Sequence, residues 1–176
     1  MERRNLLKAI AAAPLAAFGV RALAAPPATM KEVETLQANW KTLLAAGTEV
    51  PAATDKLTLS KEEWRKRLES TAYNVLREEG TERAGSSPLD REKREGVFVC
   101  AGCGLPVFTS AMKFDSGTGW PSFFTTIPGA FGTSRDFKLI LPRTEYHCAR
   151  CGGHHGHIFD DGPRSEERRV GKECRL

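Results

Sequence analysis

The sequence predicts a mainly β domain with helices ahead of it on the chain and a metal clamp holding its ends, and three observations predict this. From Gly96 onward, short apolar runs are broken by turn residues at intervals too short for helices. Before Gly96, apolar residues recur at helical spacing in two stretches. Four of the five cysteines form two C-x-x-C pairs, Cys100/Cys103 and Cys148/Cys151. Each pair offers two thiolates from one tight turn, so together they can close a tetrahedral four-thiolate zinc site. The 44 residues between Cys103 and Cys148 exceed what a small zinc ribbon needs, so one structural Zn2+ per chain is expected to clamp a substantial β insert.

At 176 residues the chain has room for one domain and some extra helix. Its 40% hydrophobic and 27% charged content argues against both a disordered chain and a membrane protein. The net charge of +4 is inflated by Arg3, Arg4 and a basic tail, and no basic-aromatic stripe lies between Cys100 and Pro163. Nucleic acid is therefore not an expected partner.

Residues 1–25 carry a basic start (Arg3, Arg4, Lys8), an apolar run from Ala9 to Val20, and Ala22-Leu23-Ala24 as a small-x-small cleavage site. This predicts a signal peptide, too short to span a membrane comfortably, and the paired arginines resemble the twin-arginine type. The expected location is periplasmic or otherwise exported, with the signal peptide as the one membrane contact. Export after folding would let the thiolates take zinc in a reducing compartment before meeting an oxidising one.

Residues 26–56 read as a helical extension and linker. Val33, Leu36, Trp40, Leu43 and Leu44 keep to one face of a helix expected over Lys31 to Ala46. Ser60 with Glu63 forms a capping-box pattern ahead of Trp64, and a second helical run from Thr71 through Leu76 halts at Gly80. Trp40 and Trp64 are expected as core anchors. Strands are expected at Val97-Phe98-Val99, from Leu105 to Thr109, from Ser122 to Thr126, in the alternation of Phe137, Leu139 and Leu141, and from Thr144 to His147.

The segments REEGTERAGSSPLD, GVFVCAGCGLPVF, SGTGWPSF and RTEYHCARCGGHHGHIFDDGP, in that order, resemble the B-type peptide methionine sulfoxide reductases over roughly Leu57 to Pro163. The resemblance implies an antiparallel β domain with N-terminal helices, with Cys100, Cys103, Cys148 and Cys151 as zinc ligands. It also implies thiol-dependent reduction of methionine-R-sulfoxide in oxidised proteins or peptides, with a thioredoxin-like thiol reductant as partner. Trp120 would line the pocket for the S-methyl group, and His154, His157 and Asp161 would surround the sulfoxide oxygen. Taken outside the family, Trp120 reads as a core aromatic, the two histidines as knuckle contacts and Asp161 as a turn former; His147 and His155 are not expected to bind metal.

Two departures stand out. The family continues after FDDGP to an R-Y-C-x-N-S segment whose cysteine is the nucleophile, eight residues past the proline. Here that position is Gly171, inside RSEERRVGKECRL. Cys174 falls three residues late and is a poor substitute, because position decides catalysis before pKa does. The domain is therefore expected over 57–163 in truncated form, with 164–176 an atypical tail whose wording resembles a translated library adapter, and with a sheet edge left open. The second departure is Thr118, where many relatives carry a resolving cysteine. The alternatives to a reductase are a catalytically dead relative and a zinc-knuckle binding module.

Overall fold

The computed structural model describes residues 29–137, 142–159, 167–169 and 174–175. The signal-peptide region expected over residues 1–25 lies outside them.

The first helix, α1 (Met30–Ala38), opens with a capping box: the Thr29 hydroxyl accepts from the Glu32 amide while the Glu32 carboxylate accepts from the Thr29 amide. It is shorter than expected. The chain leaves the α-helix at Asn39 and turns through a 3-10 segment at Trp40–Leu43, yet Leu36, Trp40, Leu43 and Leu44 still pack on the core. Asn39 is a weak helix former, and tertiary contacts override the periodicity here. Gln37 donates to Thr125 Oγ1 at 2.7 Å and to the Thr126 carbonyl, fixing α1 to the β domain.

The second helix, α2 (Lys61–Arg67), begins with the expected Ser60/Glu63 box and buries Trp64. The third, α3 (Ser70–Glu78), buries Tyr73, Val75 and Leu76. It stops where Gly80 predicts, with Glu79 in the left-handed region at φ 54° and the Gly80 amide donating back to the Asn74 carbonyl.

Among the described residues the strands that follow are β1 (Val97–Cys100), β2 (Pro106–Thr109), β3 (Lys113–Phe114), β4 (Ser122–Phe123), β5 (Phe131–Asp136), β6 (Arg143–Cys148), β7 (His154–Phe159), β8 (Glu167–Arg169) and β9 (Cys174–Arg175). They form a three-stranded sheet, β2-β1-β9, and a six-stranded sheet, β3-β4-β8-β7-β6-β5, in which every neighbouring pair is antiparallel. The mainly β, antiparallel class with N-terminal helices is thus the observed one. Phe98, Phe108, Phe123, Met112 and Tyr146 fill the core. Phe108 stacks on Phe123 at 4.1 Å and Phe98 meets the same ring edge-on at 5.0 Å.

Three strand expectations change. The run from Ser122 to Thr126 pairs only as Ser122–Phe123, because the Phe124 amide turns to the Met112 carbonyl and the Ile127 amide to the Val107 carbonyl. The alternation starting at Phe137 does not place that ring inside: β5 runs earlier, Phe137 is 72% exposed, and residues 138–141 lie outside the described set. The histidine-rich run after the second knuckle, for which no element is expected, is β7. The edge expected after Pro163 is occupied, since β8 pairs with β7 at Ile158↔Arg168 and with β4 at Phe123↔Arg168.

Candidate metal clamp and active site

The two C-x-x-C turns are built alike. In the first, the Gly104 amide donates to the Cys100 carbonyl and the Cys100 amide to the Leu105 carbonyl; in the second, Gly152 and Gly153 take the equivalent roles with Cys148. Gly104 and Gly152 sit at φ 77° and 67°, a backbone state that a side chain would strain. The repeated turn aims all four sulfurs inward, within 4.8 Å of one another and buried.

These distances can be tested against zinc. Four sulfurs about 2.3 Å from one Zn2+ at tetrahedral angles stand roughly 3.8 Å apart. Cys100 Sγ lies 3.8 Å from Cys151 Sγ, and Cys103 Sγ lies 3.5 Å from Cys148 Sγ. Disulfides would need about 2.05 Å. The hydrogen bond with Cys103 pushes the Cys100 thiol well up, while the same contact pulls Cys103 down. Four thiolates this close in a buried site need a cation between them, and the residues fit Zn2+.

Cationic side chains surround the clamp. Arg67 Nε donates to the Gly102 carbonyl at 2.7 Å, Arg150 to the Cys103 carbonyl at 2.7 Å, and Arg77 to the Cys151 carbonyl at 3.0 Å. Lys56 Nζ donates to the Ala149 carbonyl. Each knuckle thus has two cations on its backbone, which offsets the net negative charge of four thiolates around one dication. Arg77 also lies over the Trp64 ring at 4.8 Å, tying α2 and α3 to the cluster.

The second site is a cavity of about 200 Å³ lined by Glu82, Trp120, Arg143, His154, His157 and Phe159 among others. Trp120 is set by the upstream loop: its indole Nε1 donates to the Glu82 carbonyl at 3.1 Å, and the Gly85 amide donates to the Gly119 carbonyl at 2.6 Å. Gly119 has φ 83°, and an added Cβ would meet the Gly85 nitrogen at 2.9 Å. The segments TERAG and SGTGW therefore meet backbone to backbone, with no room for a side chain at Gly119.

His154 and His157 are three residues apart, so a regular strand would send them to opposite faces. Between Tyr146 and His147 the β6–β7 register slips, and Gly156 adopts φ 139°. This bulge brings both rings to the cavity side, where they meet at 5.2 Å and 62°. His155 also borders the cavity, but its ring is fully buried beside Phe131 and Tyr146, and burial pushes its pKa down to about 3.

Behind each cavity histidine stands a carboxylate. His157 Nε2 lies 2.7 Å from Asp136 Oδ2, which also accepts from Arg143 at 2.7 Å. His154 Nδ1 lies 2.8 Å from Glu145 Oε1, and the Ser134 hydroxyl donates to the other oxygen of Glu145. Burial raises the Glu145 carboxyl, but the hydrogen bonds from Ser134 and His154 outweigh it and hold the group below its ordinary range. Burial pulls His157 below the ordinary histidine value, with Asp136 opposing it.

The SelR domain family matches residues 68–172. The chain belongs to that family. Among its relatives, the peptide methionine sulfoxide reductase MsrB of Leifsonia xyli subsp. xyli is 47% identical over 111 residues, covering 62% of this chain and 80% of that protein. The protein of the same name from Agrobacterium fabrum is 46% identical over 109 residues, 61% of this chain and 81% of its own length. The one from Methanosarcina barkeri is 48% identical over 105 residues, 59% and 74% respectively.

For this SelR-family chain, the structure brings Trp120, His154 and His157 to one cavity and the four cysteines to one clamp. Asp161 lies outside the described residues. The backbone of Cys174 pairs with Cys100 on β1, in the other sheet from β7. Sequence reasoning missed Asp136, Arg143, Glu145 and Ser134. A signal existed for two of them: Arg143 and Glu145 alternate within RTEYHC, the period of a strand presenting one face.

Proposed function

We propose that this chain carries the site of a thiol-dependent reductase of methionine-R-sulfoxide in peptides and exported proteins, lacking only the nucleophile, and that the cavity at Trp120 is its sulfoxide site. One observation carries the reading: Trp120 and the pair His154/His157, from distant segments, line one cavity with an aromatic face and two imidazoles. The relatives' names support the same chemistry here. The indole face suits an S-methyl group, and the imidazoles suit an oxygen that must take up a proton.

In the reaction a cysteine thiolate supplies two electrons to the sulfoxide sulfur's centre, the oxygen ends on the cysteine as a sulfenic acid, and one proton is taken up. The products are methionine and Cys–SOH. Two external thiols then return the cysteine to thiol, giving a disulfide and water. Trp120, His154 and His157 cannot supply the electron pair, and the four clamp cysteines are committed to metal. We therefore place the nucleophile position at Gly171 and propose that the sequence as written does not turn over. The support is β8, which lies between β4, just after Trp120, and β7, which carries the histidines.

Thr118 is tied into a hydroxyl chain: Ser116 Oγ lies 2.7 Å from Thr118 Oγ1 and 2.7 Å from Ser122 Oγ. It cannot form a disulfide, which supports direct reduction by a thioredoxin-like partner. We further propose that the protein works in the periplasm or another exported compartment, with the twin-arginine-like start as support.

The test is an assay on both diastereomers of a methionine-sulfoxide peptide with a dithiol reductant. The unaltered chain should give no turnover, and Gly171→Cys should give turnover of the R form alone. A folded Gly171→Cys chain without activity would overturn the reading. Turnover by the unaltered chain, lost on Cys174→Ser, would transfer the nucleophile to Cys174.

A further inference from the structure

Resting on the reductase reading above, we infer that Asp136 and Glu145 are positioning residues that hold the two cavity histidines in opposite tautomers, His157 protonated on Nε2 and His154 on Nδ1. A carboxylate only accepts hydrogen bonds, so the ring nitrogen that contacts it must carry the hydrogen. The contacting nitrogens differ: Nε2 for His157 and Nδ1 for His154. Neither carboxylate is free to turn away. Asp136 is held by Arg143 on the same oxygen, Glu145 is held by Ser134 on its second oxygen, and their side chains are only 9% and 15% exposed.

The consequence is chemical. The lone pair is left on Nδ1 of His157 and on Nε2 of His154, and the two rings stand 5.2 Å apart on the same cavity wall. A proton taken up at either nitrogen is stabilised by the carboxylate behind the ring, as an orienting acid does for a general base. Once protonated at those nitrogens, the two rings can donate to one sulfoxide oxygen from two directions. The carboxylates act through the histidines and touch no substrate themselves.

The experiment reads the tautomers directly. The full chain, loaded with zinc and labelled with 15N at histidine, is studied at pH 8 by two-bond proton–nitrogen spectra of the imidazoles, with each ring assigned by a single His→Gln variant. His157 should show the Nε2–H pattern and His154 the Nδ1–H pattern, which is the less common form in free histidine. Asp136→Ala should release His157 from a pure Nε2–H pattern to the tautomer mixture of a free ring; Asp136→Asn would not test this, because Arg143 and His157 share Oδ2 and a single amide oxygen could still accept from both. Glu145→Ala should return His154 toward Nε2–H. Both rings in the same tautomer in the unaltered chain would overturn the inference, as would unchanged tautomers in folded, zinc-loaded variants. If the variants do not fold, the unaltered chain alone decides. Because no turnover is needed, an inactive Gly171→Cys chain would remove the reductase reading without touching this result.

Discussion

The clamp and the cavity share β7 and β6 but are built on opposite rules. In the clamp, four groups of one kind are buried together, and cations on the surrounding carbonyls close it off. In the cavity, each reactive group has a different partner, and the site remains open to a ligand. The clamp is assembled from local turns whose ligands are three residues apart. The cavity is assembled from strand register, a bulge and a loop contact, none of which is local. A fold can thus depend on the first region for stability while the second carries specificity, and changes in each should separate in measurement.

The largest effect is expected from the clamp. Structural zinc contributes roughly 10–16 kcal/mol of apparent binding free energy, which in such sites is folding free energy. Cys148→Ser should lose the metal and the cooperative fold of the β domain, measured as zinc per chain and by circular dichroism. A folded, zinc-free product would show that the cluster is not the keystone of the fold. Trp64→Ala, beneath Arg77 and 2% exposed, should cost about 3–5 kcal/mol in denaturant melts. A loss below about 1 kcal/mol would mean that α2 and α3 cover the clamp without supporting it.

His155 joins the two regions through the core, and its titration sharpens the comparison. Its folded pKa of about 3 lies below the ordinary value of 6.5, so the unfolded chain binds the extra proton between those limits. Stability is full above pH 6.5 and falls as the pH drops toward 3. Between pH 7 and pH 5 the loss from this group is about 2 kcal/mol. Denaturant midpoints at the two pH values should show it, and His155→Phe should flatten the slope. An unchanged slope would assign the acid sensitivity to the thiolates.

The same division explains what the sequence could reveal. The C-x-x-C spacing, the Ser60/Glu63 box and the Gly80 stop are short-range patterns, and each was readable because the physics acts within a few residues. Trp120, His154 and His157 came from an ordered resemblance, not from spacing. Asp136 escaped notice because its value lies in sitting across from Arg143 and within reach of His157, 21 residues away. The strand nature of HHGHIF was hidden by the bulge, which breaks the alternation that marks a strand. Helix α1 ends at Asn39, and the Gln37 contacts with Thr125 and Thr126 that fix it to the β domain are ones that periodicity does not encode.

The smallest energetic effect is expected at the clamp's rim. Arg77→Gln should cost about 1 kcal/mol through one charged hydrogen bond and speed zinc release to a chelator, while leaving ligand shifts at Trp120 unchanged. A change at Trp120 would mean the two regions are coupled through α3.

The account's central claim is that the cavity at Trp120, and not the clamp, receives a methionine-R-sulfoxide, and it can be measured on the unaltered chain. Zinc-loaded protein is titrated with R- and S-sulfoxide peptides while the Trp120 indole, the His154 and His157 rings and the amides of Cys100 to Gly104 are followed by NMR. The account predicts saturable shifts at Trp120 and the two histidines with the R peptide, weaker ones with the S peptide, and none at the knuckle. Shifts centred on the knuckle, or equal responses to both diastereomers, would contradict it.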